Sequence, residues 1–222
     1  RHTSSVVKGN SMALTRDIGS RIELVPMDLH CNEITVALYK QASSNGPVYR
    51  IHTYSQHPGA QQRIASLSTD MQMLGGMQMT DDGLLRFPCG HAHQYAVRRL
   101  FLDACKRDPS QPAQIFPLRI HDKKSDCYIG VDCLGDGQYS VRAETETEGV
   151  ERRTATIARG LVRLGEMEAS DSDANRVKFA CGHAHDALIA LLLLRAPNVR
   201  AAMREAEEMA SRGQLVAPSA QN

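Results

Sequence analysis

Apolar and polar residues alternate with a period of two in three early stretches, the pattern of half-buried strands. Arg21-Ile22-Glu23-Leu24-Val25 alternates first, and Pro26 places it at a sheet edge or at its own end. Glu33 to Tyr39 alternates next, with Ile34, Val36 and Leu38 facing one way. The link from Gln41 to Pro47 carries Asn45-Gly46, a favoured hairpin pair, and Val48 to Tyr54 gives a third strand. Three strands with short links predict an antiparallel meander.

The period then lengthens. Ile64, Leu67, Met71 and Leu74 recur at helical spacing, and Gly75-Gly76 stops the run. Met77 to Thr80, the turn Asp81-Asp82-Gly83, and Leu84 to Phe87 predict a hairpin or a loop with one strand. A second helix is expected from about His91, with Ala96, Val97, Leu100, Phe101 and Ala104 on its buried face.

After Asp108-Pro109-Ser110-Gln111-Pro112 the same order returns. Ile115–Ile120, Tyr128–Cys133 and Tyr139–Ala143 are the expected meander, and Thr154, Ile157, Leu161 and Leu164 form the helix stripe. Tyr49 and Tyr139, Arg63 and Arg153, and Leu74 and Leu164 pair at one constant offset. The block Phe87-Pro88-Cys89-Gly90-His91-Ala92-His93 returns as Phe179-Ala180-Cys181-Gly182-His183-Ala184-His185. Its flanks are of the same kind both times, which points to an internal duplication.

The expected fold is therefore α+β: a tandem duplication of a βββ-α-β(β)-α unit, antiparallel sheets with helices on one face, in a pseudo-two-fold arrangement. Residues 12–108 form the first repeat, 109–112 the linker and 113–212 the second repeat. That second repeat ends in an extra helix from Asn198 to Arg212, followed by a flexible tail at 213–222. Residues 1–11 lack an apolar run and read as an expression-tag remnant before Met12. Leu188 to Leu194 is apolar nearly all round, so its helix needs cover on several sides. The other repeat or a second subunit can supply that cover; packing of the two repeats into one unit is the expectation, and a homo-oligomer through this helix or the C-terminal one is the alternative.

Composition narrows the function. A formal net charge of +1 and an aromatic content of 5% supply neither a basic field nor stacking platforms, so nucleic acid is not expected. No apolar run approaches the roughly 20 residues of a membrane span. Six cysteines in a helix-rich chain of 222 residues do not resemble a disulfide-stapled secreted fold, and reduced thiols in the cytoplasm are expected.

The repeated block admits three readings. As a structural corner, Cys is a small hydrophobe, Gly90 and Gly182 permit a positive φ, and Ala92 and Ala184 allow close packing. That accounts poorly for two histidines in each repeat. As a metal site, thiolate and imidazole are the ligands of zinc and related transition metals. One block supplies two ligands, so Cys89, His91, Cys181 and His183 would close one site if the repeats pack corner to corner. As a ligand or thiol site, Gly90, Gly182, His93 and His185 would hold a small molecule at the helix starts. Asp186 stands three residues beyond His183, so Cys181, His183 and Asp186 are the expected nucleophile, base and orienter of a thiol-dependent enzyme.

Overall fold

The computed structural model describes residues 21–31, 34–53 and 55–214. The expected tag at 1–11, Glu33 and Tyr54 at strand ends, and the tail from 215 onward lie outside the described residues. Among the described residues, ten strands and five α-helices form a mixed α/β structure with two antiparallel sheets.

The first sheet holds β1 (Arg21–Cys31), β2 (Ile34–Gln41), β3 (Val48–Thr53), β4 (Gln78–Met79) and β5 (Leu85–Arg86), in the order β1-β2-β3-β5-β4. β1 lies at the edge, where a proline costs no ladder bond, and its register shifts between Val25 and Leu29, beside Pro26. Between β3 and β4 runs α1 (Ala60–Gly75), ended by Gly76 in the left-handed region. After β5 comes α2 (Gln94–Lys106).

The second sheet holds β6 (Arg119–Asp122), β7 (Cys127–Gly135), β8 (Gln138–Ala143), β9 (Met167–Ala169) and β10 (Arg176–Phe179). Its order is β6-β7-β8-β10-β9, the same pattern as in the first sheet. In β8, Tyr139 and Val141 are buried and Gln138 and Arg142 exposed, so one face meets the core and the other meets water. α3 (Val150–Gly165) and α4 (Asp186–Leu193) occupy the places of α1 and α2.

Three expectations are corrected. β6 begins at Arg119, and Ile115 is 71% exposed, because Pro117 has no N–H to donate to a ladder. α2 begins at Gln94 and α4 at Asp186, since the repeated block is a turn that delays both helices. The last helix, α5, runs Val199–Gln214, so Gly213 and Gln214 are helical.

The core joins the buried faces of both sheets to the helices. Leu188 to Leu193 of α4 are at most 2% exposed, covered by α1, α2 and α3 of the same chain. That cover removes the need for a second subunit on this helix; of its apolar run only Leu194, at the end, is substantially exposed. Gly160 lets α3 lie against the 3-10 turn Ala196–Asn198, where an added Cβ would stand 2.4 Å from the Ala196 carbonyl oxygen. Asp103 of α2 binds Arg195 beyond α4 at 2.6 Å, joining the first half of the chain to the second. No helix among the described residues is long and apolar enough to cross a membrane.

Candidate metal centre

Each repeated block leaves its sheet through a tight turn. The Gly90 N–H donates to the Phe87 carbonyl at 3.1 Å, and the Gly182 N–H to the Phe179 carbonyl at 2.9 Å. Cys89 and Cys181 occupy the third position of these turns. Gly90 at φ 73° and Gly182 at φ 70° continue in the left-handed region, which a side chain would strain. The chain then reaches His93 and His185, whose carbonyls accept the first bonds of α2 and α4 from Val97 and Ile189.

This path brings the sulfur of each cysteine to the histidine four residues on. Cys89 Sγ lies 3.3 Å from His93 Nε2, and Cys181 Sγ lies 3.2 Å from His185 Nε2. The two pairs meet across the units, so that four donor atoms, from Cys89, His93, Cys181 and His185, all lie within 4.8 Å of one another. A tetrahedron with zinc–sulfur bonds of about 2.3 Å and zinc–nitrogen bonds of about 2.0–2.1 Å has edges of about 3.3–3.8 Å. The cluster is compatible with metal binding after a small contraction.

The surroundings suit neutral imidazoles. His93 and His185 are buried, and Phe87 and Phe179 stand edge-on to both rings at centroid distances of 4.9–5.8 Å. Burial, then the charges of neighbouring histidines, lowers the pKa of each ring to about 4. Both are therefore unprotonated, lone pairs available, at neutral pH. Burial pushes the Cys89 thiol up to about 11, helped by the Cys181 sulfur and opposed by the His91 N–H, which donates to Cys89 Sγ at 3.4 Å. A metal binding here must displace thiol protons.

The residues expected from the sequence separate into two shells. The cluster draws Cys89 and Cys181 together, and its imidazoles come from His93 and His185, not from His91 and His183. The exposed His91 and His183 turn Nδ1 to the carbonyls of Cys89 and Cys181, at 3.0 and 2.8 Å. The expected trio Cys181, His183 and Asp186 does not assemble. Asp186 instead accepts the Tyr139 hydroxyl proton at 2.8 Å, and Cys181 pairs with His185. Gln94, in the matching place of the first unit, accepts from Lys40 at 2.7 Å.

Two further residues shape the site. The Tyr139 hydroxyl also accepts the His185 backbone N–H at 2.6 Å, and the Tyr49 hydroxyl donates to the carbonyl of Ala92. Both tyrosines are fully buried, and both brace the residues that present a histidine. Their shared offset was visible in the sequence; nothing in strand periodicity says where a hydroxyl points. The hairpin turns press on the same corners. A Cβ on Gly46 would stand 2.3 Å from the Gly90 carbonyl oxygen, and one on Gly137 would stand 2.7 Å from that of His183.

Compared with known proteins, the chain matches no family model, no curated protein and no solved structure. The donor geometry therefore carries the functional reading.

Proposed function

We propose that this protein binds one transition-metal ion, zinc by preference, through Cys89, His93, Cys181 and His185. The observation that carries the reading is the convergence of two sulfurs and two nitrogens within 4.8 Å from separate stretches of chain. Two thiolates with two neutral imidazoles form a donor set suited to zinc, and four protein ligands fill a tetrahedron without leaving a position for water. The ion then acts as a structural tie between the units rather than as a reaction centre.

The same reading takes the two units as copies of one βββ-α-ββ-α ancestor, related by a pseudo-two-fold axis that passes near the site. The shared strand order and the matching turns support it. Thiols that hold a metal must remain reduced, which suits a cytoplasmic setting.

The test is elemental analysis of protein purified without added metal and without a histidine tag. The reading expects about one zinc per chain, with the ion lost from Cys89→Ser and from His185→Ala. Absence of any transition metal, together with no uptake from a zinc buffer, would overturn it.

A further inference from the structure

We propose that Cys89 and Cys181 are also an oxidisable pair: a hydroperoxide joins them as a disulfide and expels the metal. This rests on the metal-site reading above. The geometry makes the site two-sided. The imidazoles face the core beneath Phe87 and Phe179, whereas both cysteines are half-buried. The cysteines are thus the more accessible residues of the four to a small oxidant arriving from solvent.

The distance to close is short. The sulfurs lie within 4.8 Å, and a disulfide needs about 2.05 Å. Each cysteine sits in a turn beyond its strand, outside the sheet ladders, and is followed by a glycine at positive φ. The movement is therefore shared by two turns rather than imposed on a sheet. Among the other cysteines whose side chains are described, Cys105 and Cys127 are buried, and Cys133 is exposed on β7.

The chemistry balances with hydrogen peroxide as the oxidant. One thiolate sulfur attacks a peroxide oxygen; the O–O bond breaks, a sulfenic acid forms, and the departing hydroxide takes a proton from solvent to become water. The second thiolate attacks the sulfenic sulfur. The S–S bond forms, the S–O bond breaks, and a second hydroxide leaves and is protonated to water. The two sulfurs lose two electrons in total, the peroxide gains them, and the metal departs as the divalent ion. A covalent bond then replaces the ion as the tie between the units, so the oxidised protein stays folded while its two imidazoles lose their metal.

The experiment uses zinc-loaded full-length protein carrying Cys133→Ser, which removes the exposed thiol of β7. Zinc content before oxidation tests the metal reading by itself. Hydrogen peroxide is then added, released zinc is followed with a chromogenic chelator, and tryptic peptides are examined by mass spectrometry without reduction. The expected result is release of about one zinc per chain, in step with a cross-link between the peptides 87–98 and 179–195. Dithiothreitol should reverse both. Cys181→Ser should instead leave a sulfenic acid on Cys89, trapped by dimedone, with no cross-link. Zinc retained under peroxide, or zinc released without that cross-link, overturns the inference and leaves the metal site standing. Failure to bind zinc at the outset overturns both.

Discussion

The imidazole rings of His93 and His185, one from each unit, lie 4.6 Å apart between centroids and inclined at 66°. Two protonated rings at that separation would repel each other inside an aromatic enclosure, so the arrangement depends on both being neutral. This gives the metal-free protein a defined response to acid. The unfolded chain protonates its histidines near 6.5, whereas these two resist until about pH 4 in the fold. Between those values the unfolded state binds more protons. Stability is therefore full above about pH 6.5 and falls as the pH drops toward 4, on the order of 1 kcal/mol per pH unit for each ring. Urea midpoints of chelator-treated protein between pH 7.5 and 4.5 check this. A flat profile would show that the rings are not held neutral.

The inner and outer histidines should behave differently. His185→Ala removes a proposed ligand and should lower zinc affinity on the order of 100-fold or more. His91→Ala and His183→Ala remove exposed rings bonded to cysteine carbonyls, and each should leave zinc affinity close to that of the parent protein. Competition with a chromogenic chelator measures all three. Equal losses at inner and outer positions would contradict the donor assignment.

Tyr139→Phe leaves the buried His185 N–H without its acceptor. The expected cost is ~1–3 kcal/mol of stability and about a tenfold loss of zinc affinity, as for other residues that orient a ligand from behind. Asp186→Asn keeps an oxygen for the Tyr139 hydroxyl and should change little. It should also leave the rate of Cys181 alkylation by iodoacetamide unchanged, because Asp186 is committed to Tyr139 rather than to His183. Slower alkylation in that variant would revive a Cys-His-Asp arrangement.

Gly160→Ala tests the packing of α3. Alanine is the better helix former by about 1 kcal/mol, but its Cβ would meet the Ala196 carbonyl oxygen at 2.4 Å and the Ala196 Cα at 2.9 Å. Separation of the helix from the 3-10 turn should make the variant less stable by ~1–3 kcal/mol. A raised melting temperature would refute this close approach.

The alternation in Val48–Tyr54 and Tyr139–Ala143 and the stripes through Leu67 and Ile157 were legible as strands and helices, because burial on one face imposes a period. The repetition of Cys-Gly-His-Ala-His pointed to the segments that form the Cys/His cluster. The choice of histidine was not legible. Treating the helix as starting near His91 turns His93 away from Cys89, whereas the actual path has Gly90 and His93 both at positive φ and delays the helix to Gln94. Periodicity carries no information about such a turn. Ile115 misled in the opposite sense, since an apolar residue beside Pro117 resembles a strand until the missing N–H is counted.

Under the proposed metal reading, neither cysteine–histidine pair completes the site alone, so the order of synthesis matters. On the ribosome, the first pair emerges with Cys89 and His93 long before Cys181 and His185 have been translated. A two-ligand fragment holds a metal ion weakly, so an unfinished chain gains nothing lasting from it. Only when the second corner has been made and docked can the ion be kept. On that reading metal retention would report that translation has run past His185, and a chain released early would lack the proposed tie.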